Sequence, residues 1–406
     1  MSWTRRRLLK SAAASALPLT GMSGLSTATP VRESQAAHTD DGSFDPWVEW
    51  SASNVRHNVA EIARRVEGRP ILAVIKNNGY GMGVTRIAGV LDAEQAVHTL
   101  AVVKMSEAHA LRDAGIRKPV LCMGPFSEKE LTDAVARDIT PMVYTDWQQT
   151  FARLANEHQR AIPAHLCLDT GMGRVGIPYE LAGPLAEAMA ESNSIALQGV
   201  MTTLSEDPEL DPLQVERLTE FAAGYTTEGA TLGLRHAASS FGLFELPAAF
   251  LDAVRPGMAV FGVYSEQRFR GSDALALRPA VALRTRVAYV KRLNTGASAG
   301  YNRAYTASRP VYIATLPIGH VDGLPRAASE GGRVTIGGKS YPIIASISAS
   351  HTIIEIGDEP EVEAGQVATL FDWNEGSRVE DFAAGFSGSV YDLMMHLNPL
   401  LPRHAV

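Results

Sequence analysis

The segment Pro70-Ile-Leu-Ala-Val-Ile-Lys76-Asn-Asn-Gly-Tyr80-Gly-Met-Gly83 joins a short apolar run to a lysine and a glycine-rich turn. The amphipathic stretch 84–91 follows directly. This order is typical of a buried parallel strand and the helix that returns beside it. A lysine directly after such a strand points to the carboxyl end of the sheet, where βα barrels carry their active sites.

The same alternation of apolar runs and amphipathic stretches extends to about residue 278. The predicted strands include 70–75, 100–103, 119–123, 164–168, 197–201 and, as the last, 259–262. About eight such units over roughly 230 residues fit a (β/α)8 barrel better than a doubly wound sheet.

The pattern changes after Pro279, where short alternating runs are separated by Gly, Asn and Asp. These runs are 281–290, 311–316, 333–336, 341–347, 352–356 and 366–371. Alternation of this kind predicts an all-β domain. The predicted fold is therefore α/β, with an N-terminal (β/α)8 TIM barrel at 45–277 and a C-terminal all-β domain at 278–406.

The first 36 residues have the three regions of a signal peptide. Arg5 and Arg6 precede a short, weakly apolar stretch, and Ser34-Gln35-Ala36 provides a cleavage site of small residues. The apolar stretch is too short and too polar to span a bilayer as a stable helix. The arginine pair resembles a twin-arginine export signal. The sequence thus predicts a periplasmic protein with no membrane span in the mature chain.

Charge and cysteine usage exclude several classes of protein. The 37 Lys and Arg residues are outnumbered by 44 Asp and Glu residues, and no basic block is present. A chain of this charge is a poor candidate for binding nucleic acid. The two cysteines, Cys122 and Cys167, form no CxxC pair, and the histidines show no metal-ligand spacing, so no metal site is predicted.

Lys76 is the first candidate for chemistry. At the end of a buried strand its ammonium is disfavoured, its pKa falls, and the neutral amine can form a Schiff base. A lysine in this position can equally pair with a nearby carboxylate, and the segment taken alone leaves both interpretations open.

Seven segments with reactive or polar residues follow one another along the chain. They are 73–83, 169–176 (Asp-Thr-Gly-Met-Gly-Arg-Val-Gly), 236–240 (His-Ala-Ala-Ser-Ser), 255–257 (Arg-Pro-Gly), 300–306 (Gly-Tyr-Asn-Arg-Ala-Tyr-Thr), 318–326 and 390–393 (Val-Tyr-Asp-Leu). In content and order they resemble the motifs of the alanine racemase family, the fold-type III enzymes that use pyridoxal 5′-phosphate. The resemblance runs from Trp47 to Arg403.

The resemblance implies a role for each matching residue. Lys76 is the Schiff-base lysine and the base on one face of the substrate Cα, and Tyr301 is the base on the opposite face. Tyr301 is expected to act in the active site of the partner subunit, which implies a homodimer with shared active sites. The implied cofactor-binding residues are Lys76, Tyr80, His236, Ser240, Arg255, Gly257 and Tyr391. The implied residues for binding an amino-acid substrate are Arg174, His320 and Ala349.

These assignments agree with the chemistry of the cofactor. The hydroxyls of Tyr80, Ser240 and Tyr391 and the backbone N–H of Gly257 are donors that suit a phosphate. Arg255, matched to the residue that faces the pyridine nitrogen, does not give up its proton. That nitrogen then stays unprotonated, and the weaker electron sink suits simple proton exchange at Cα.

The sequence departs from the family at positions near the substrate. Cys167 stands where the family has a lysine that is usually carbamylated, and Thr203 replaces a histidine. His320 replaces a tyrosine that limits substrate access, and Ala349 replaces a methionine that narrows the pocket. Because bulk is removed only on the substrate side, we expect racemisation of broad or non-alanine specificity, yielding D-amino acids.

Other functions of this fold remain as alternatives. A related decarboxylase or other lyase would carry a Cys-Asp motif near the C-terminus, but no cysteine follows Cys167. A metal-dependent aldolase would need a metal site. A relative that binds the cofactor but has lost activity is compatible with the altered substrate positions.

Overall fold

The computed structural model describes residues 42–225 and 232–406 of the chain. The signal peptide predicted at 1–36 lies outside the described residues and stays a prediction. None of the helices within the described ranges is long and apolar enough to cross a membrane.

Strands and helices alternate up to β9, and strands dominate after it. The strands are β1 Trp47–Trp50, β2 Ile71–Val74, β3 Val97–Val102, β4 Val120–Cys122, β5 Ile139–Val143, β6 Ile162–Asp169, β7 Ile177–Pro178, β8 Ile195–Met201, β9 Leu234–His236, β10 Val281–Arg286, β11 Tyr289–Leu293, β12 Ser298–Ala299, β13 Tyr305–Thr306, β14 Val311–Leu316, β15 Arg333–Ile336, β16 Lys339–Ile344, β17 Thr352–Gly357, β18 Val367–Phe371 and β19 Arg403–Ala405. The helical segments are α1 Ala52–Arg65, α2 Lys76–Tyr80, α3 Val84–Asp92, α4 Met105–Asp113, α5 Glu128–Ala136, α6 Gln148–His158, α7 Gly183–Ala190, α8 Leu210–Ala223, α9 Ser240–Glu245, α10 Val379–Ala384 and α11 Val390–Met395.

The first sheet is parallel and curls into a barrel, as predicted. Its strands follow the order β2-β3-β4-β5-β6-β8-β9. The segment 252–256 closes the circle between β9 and β2, since Leu72 N donates to Val254 O at 2.8 Å and Arg255 N donates to Ala238 O at 2.8 Å. A closed parallel barrel places the carboxyl ends of all its strands around one mouth.

The prediction of a strand at 259–262 is wrong. Residues Met258–Phe261 form a short 3-10 helix, and Gly262 ends it in the left-handed conformation with φ +73°. The closing segment lies a few residues earlier. A fully buried apolar run has no alternation that separates a strand from a helical turn, so the sequence could not make the distinction.

Local sequence explains the helices that cover the barrel. In α1, Ser51 Oγ accepts a hydrogen bond from Asn54 N at 3.4 Å and caps the amino end. Val55, Val59 and Ile62 recur at helical spacing and are buried against the barrel. The outer face of this helix is exposed and polar, so the amphipathic pattern alone sets which side packs.

The second sheet contains nine strands in the order β11-β14-β17-β16-β15-β18-β10-β1-β19. The predicted run 281–290 divides into β10, which pairs with β18, and β11, which pairs with β14. Strand β1 pairs with β10, with Trp47 opposite Arg284. The segment 45–277, predicted as barrel, therefore also contributes one strand to the second sheet.

Candidate active site

A cavity of about 550 Å³ opens at the carboxyl ends of the barrel strands. Its lining comes from residues at the carboxyl ends of β2, β3, β4, β5, β6, β8 and β9, from the segment 255–258 and from one residue of α11. Seven residues predicted from the sequence line it: Lys76, Tyr80, Arg174, Ser240, Arg255, Gly257 and Tyr391. The fold thus brings residues from distant parts of the chain into one site.

A left-handed turn places two of these residues. Asn77, Asn78 and Gly79 adopt φ values of +53°, +58° and +61°, so α2 turns in the sense opposite to an α-helix. Asparagine and glycine tolerate this conformation better than other residues. The turn directs Lys76 and Tyr80 into the same cavity.

The buried carboxylate of Glu107 holds this turn in place. Glu107 Oε1 accepts a hydrogen bond from Asn78 N at 2.7 Å, and its other oxygen accepts one from Lys104 N at 3.4 Å. Glu107 is only 8% exposed. The sequence did not single out this residue, because an acidic side chain in the first turn of a helix usually serves only the helix end.

The surroundings of Lys76 favour its neutral amine. Burial is the main cause that lowers the pKa of Lys76, and the positive charge of Arg174 lowers it further, while Glu107 opposes the shift. A larger fraction of the amine is therefore unprotonated than for a lysine in water. An unprotonated amine is what nucleophilic attack on a carbonyl requires.

Two tyrosine hydroxyls act as neutral donors in the cavity. Burial raises the pKa of Tyr391 to about 12, with Glu206 as a second cause. Burial also raises the pKa of Tyr80, whose side chain is 3% exposed. Both phenols keep their protons at neutral pH and can donate them to an anion.

Ser240 adds a third hydroxyl with a fixed orientation. Its Oγ accepts hydrogen bonds from Gly257 N at 2.9 Å and Ala259 N at 3.1 Å, which leaves the hydroxyl proton to donate. The Gly257 N–H, predicted to contact the phosphate, donates instead to Ser240. A Cβ at Gly257 would lie 2.1 Å from Tyr80 Oη, so only glycine fits beside that hydroxyl.

The donor set fits the phosphate of pyridoxal 5′-phosphate. Besides Tyr80, Ser240 and Tyr391, the cavity is lined by Ser239, whose buried Oγ has no hydrogen-bond partner within the described ranges. An unpaired buried hydroxyl is costly unless a ligand satisfies it. Ser239 was missed as a site residue, although it lies in the same serine pair as Ser240.

Arg255 is anchored by backbone oxygens and by a histidine. Its Nη2 donates to Thr202 O at 2.7 Å, and its Nη1 donates to His236 Nδ1 at 3.0 Å. No partner for its Nε–H is found among residues 42–225 and 232–406, and the side chain lines the cavity. Burial lowers the pKa of Arg255 to about 10, so the guanidinium stays charged at neutral pH.

His236, predicted as a cofactor-binding residue, does not line the cavity. It lies fully buried behind Arg255, and its Nε2 is 2.8 Å from His165 Nδ1. Because arginine only donates, His236 Nδ1 must accept, and His236 Nε2–H then donates to His165. The pair supports Arg255 from behind. Nothing in the sequence connected His165, on β6, with this role.

Burial keeps both histidines neutral. It lowers the pKa of His165 to about 4 and the pKa of His236 well below its usual value, with Arg255 as the second cause. Below pH 6.5 the unfolded chain binds protons that the two folded histidines do not. The free energy of unfolding therefore decreases as the pH is lowered. For His165 this loss continues until the pH reaches about 4.

We therefore expect the urea midpoint to fall between pH 7 and pH 5, and to fall less in the His165→Gln variant. Glutamine can still accept from His236 but does not titrate. The measurement is urea unfolding followed by circular dichroism at several pH values. An equally steep loss in the variant would show that other groups cause the pH dependence.

The thiol of Cys167 cannot carry the carbamate that the family's lysine usually carries at this position. Its thiol is buried, its Sγ lies 3.8 Å from Val175 O, and burial raises its pKa to about 11. The thiol is thus neutral. Arg174, which lines the cavity, has no hydrogen bond or ion pair from its side chain in the part of the chain that the structure describes.

Tyr301 lies in the turn between β12 and β13, which form a separate two-stranded sheet, and His320 and Ala349 lie on loops of the second sheet. None of the three lines the cavity of its own chain. Tyr301 is 73% exposed. His320 N donates to Ser348 O at 3.0 Å, and Val321 N donates to Ala349 O at 3.1 Å, so these two loops lie together. One chain alone therefore does not bring these predicted residues to Lys76.

The chain is similar to known proteins over both of its domains. The model of the alanine racemase N-terminal domain matches residues 51–265, and that of the alanine racemase C-terminal domain matches 280–405. The alanine racemase of Desulforamulus reducens is 33% identical over 366 residues, covering 88% of this chain and 98% of that protein. Alanine racemase 2 of Caldanaerobacter subterraneus subsp. tengcongensis is 32% identical, covering 88% and 93%.

Solved structures give the same result. The crystal structure of alanine racemase from D-cycloserine-producing Streptomyces lavendulae has a TM-score of 0.82 at 29% identity, covering 90% of this chain and 97% of that one. Alanine racemase from Streptomyces coelicolor A3(2) has a TM-score of 0.83 at 25% identity. With both domain models matched in order, the chain belongs to the alanine racemase family, whose enzymes are isomerases that use pyridoxal 5′-phosphate.

Proposed function

We propose that this protein racemises free amino acids by a two-base mechanism, with Lys76 as the base on one face of Cα. Tyr301 of the partner subunit is the base on the other face. The observation that carries the proposal is the cavity itself. It joins a lysine of lowered pKa to Arg255 and to a set of hydroxyl donors suited to a phosphate.

When bound, pyridoxal 5′-phosphate supplies a carbonyl carbon that binds amines and a ring that withdraws electrons from Cα. The chain's own residues hold and orient it. Tyr80, Ser240 and Tyr391 would donate to the phosphate, and the Nε–H of Arg255 would donate to the ring nitrogen. Because Arg255 keeps its proton, it limits electron withdrawal to what proton exchange needs.

The two bases must approach Cα from opposite sides. Lys76 reaches the cavity from the end of β2, whereas Tyr301 of the same chain is exposed in the turn between β12 and β13. A second copy that presents Tyr301 at the mouth of the cavity would supply the missing base. We therefore propose a homodimer with shared active sites, in which His320 and Ala349 also act on the partner's substrate.

Substrate range and location form part of the same proposal. Histidine at 320 and alanine at 349 occupy less space than the tyrosine and methionine of the family pattern, which supports a broad or non-alanine specificity. The Arg5-Arg6 pair and the small-residue cleavage site support export to the periplasm by the twin-arginine route.

Incubation with single L-amino acids in D2O, followed by chiral analysis, tests the reaction. Racemisation predicts deuterium at Cα together with formation of the D-enantiomer. Release of carbon dioxide without the D-enantiomer would favour a decarboxylase, and a lack of exchange with every amino acid would indicate a relative without activity.

We expect the double change His320→Tyr plus Ala349→Met to penalise substrates longer than alanine by roughly 1–3 kcal/mol in kcat/KM while sparing alanine. The added bulk fills space that longer side chains would use. Steady-state kinetics with alanine and longer neutral amino acids provide the measurement, and cofactor absorbance serves as the control. An unchanged ranking of substrates would contradict the wide-pocket interpretation.

A further inference from the structure

Glu206 is a carboxylate in the cavity to which neither the motifs nor the proposed mechanism assigns a role. It follows β8 and lines the cavity together with Lys76, Arg174 and Arg255. Glu206 is the single acidic residue among the described residues that line the cavity. Its side chain has no hydrogen bond or ion pair to any described residue.

The backbone around Glu206 is held firmly. Ser205 N and Oγ donate to Asp211 Oδ1 at 2.9 and 3.0 Å, and Ser205 N also donates to Gln214 Oε1 at 2.9 Å. Asp207 N donates to the same Asp211 oxygen at 3.3 Å. Glu206 itself has φ +63°, a conformation that a residue other than glycine keeps only where its surroundings impose it. The carboxylate is therefore presented from a fixed loop.

The position of Glu206 within the cavity can be read from its neighbours. It contributes to the raised pKa of Tyr391, so it lies on the Tyr391 side. Lys76 follows β2 and Glu206 follows β8, and in the barrel these two strands are separated by β9 and the closing segment on one side and by β3 to β6 on the other. Glu206 thus lies away from the amine of Lys76.

A cationic group beside the unpaired carboxylate of Glu206 would stabilise its charge. The side chain of Glu206 is exposed at the cavity and has no cationic partner among the described residues. Partial desolvation, Asp211 and Glu266 raise its pKa. A positively charged ligand group beside it would relieve this penalty. Arg174, unpaired in the same cavity, offers the complementary charge for a carboxylate.

We propose that Glu206 selects amino acids with a cationic side chain, by accepting a hydrogen bond from the side-chain ammonium or guanidinium. The inference rests on the proposed racemase function and names its substrate class. The α-nitrogen of a substrate must lie at the Lys76 end of the cavity, so the far end of a long side chain is the group that reaches Glu206. Alanine, with its single methyl group, does not reach it, and acidic side chains are repelled.

The kinetic test compares Glu206→Gln with Glu209→Gln, a matched control. Glu209 is an exposed acid three residues further on that does not line the cavity. The substrates are L-lysine, L-methionine as a neutral side chain of similar length, and L-glutamate. Glu206→Gln should lower kcat/KM for lysine by at least about 10-fold and leave methionine within about 2-fold. Glu209→Gln should change neither, and glutamate should be the poorest substrate of the wild type.

A binding measurement separates this inference from the racemase proposal. Calorimetric titration of the Lys76→Ala protein with L-lysine and with L-methionine reports affinity without turnover. We expect lysine to bind more tightly than methionine, and Glu206→Gln in the same background to remove that difference. Circular dichroism shows whether each variant is folded.

Three results would overturn the selection by Glu206. Equal losses of kcat/KM for lysine and methionine in Glu206→Gln would indicate that Glu206 contacts the α-ammonium. The other two results are an unchanged kcat/KM for both substrates, or tighter binding of methionine than of lysine to the Lys76→Ala protein. Failure of the racemase proposal gives a different result, namely absence of Cα exchange with all three substrates in the wild type. The calorimetric comparison still reports on Glu206 in that case.

Discussion

Replacing Lys76 with alanine should abolish covalent retention of the cofactor and reduce racemisation by at least about 10⁴-fold. Lys76 combines two functions in the proposed mechanism, binding the cofactor carbon and moving the proton on one face of Cα. Its partial burial and its neighbour Arg174 lower its pKa and prepare the amine for both. The loss should therefore exceed that expected for a residue with one role.

The measurement is the visible absorbance of the purified protein, followed by borohydride reduction and peptide mass mapping. The cofactor mass should lie on the peptide that contains Lys76. Lys104→Ala is a suitable control, because Lys104 follows the neighbouring strand β3 but its side chain is exposed. Attachment to another lysine in the wild type would contradict the assignment.

Replacing Tyr301 with phenylalanine should lower racemisation by at least about 10²-fold, the lower range for loss of a general acid–base. Only one face of Cα loses its base. Exchange of the Cα hydrogen on the face served by Lys76 should therefore persist longer than inversion. Deuterium incorporation from each enantiomer, measured separately, tests this asymmetry. Tyr289→Phe, at a tyrosine of strand β11 that is 60% exposed, is the control.

Mixing the two inactive variants tests whether the active sites are shared. In a dimer of one Lys76→Ala chain and one Tyr301→Phe chain, one site receives both changes and the other receives neither. With random assortment about one quarter of all sites are intact, so activity should return to about that fraction. A mixture that stays as inactive as its components would show that each chain uses its own Tyr301.

The sequence predicted much of the barrel because the information is local. In β2 every residue is buried, and the amphipathic stretch at 84–91 corresponds to α3 at Val84–Asp92. Strand β8 at Ile195–Met201 includes the predicted run 197–201. Where this local signal fails, as at 259–262, the prediction was wrong, because complete burial removes the periodicity that separates strand from helix.

The residues that line the cavity were also predictable, and for a different reason. Lys76, Ser240 and Arg255 lie in short segments whose order resembles a known family, so no knowledge of contacts was needed to find them. The same reasoning placed His236 among them as a residue that binds the cofactor, whereas the structure places it outside the cavity lining. The segment that contains His236 lies beside the cavity, but its ring is fully buried behind Arg255. The order of motifs along the chain does not show how deeply a side chain is buried.

The sequence by itself therefore determined the barrel units, the second sheet and the residues around Lys76, since periodicity and motif order are properties of neighbouring residues. Only the tertiary structure decided that His165 supports His236 across 71 residues of chain. It also decided that Glu107 holds the turn after Lys76 and that Glu206 lies unpaired in the cavity. These relations arise when the barrel closes and joins the ends of distant strands at one mouth, and no local pattern records which side chains then meet.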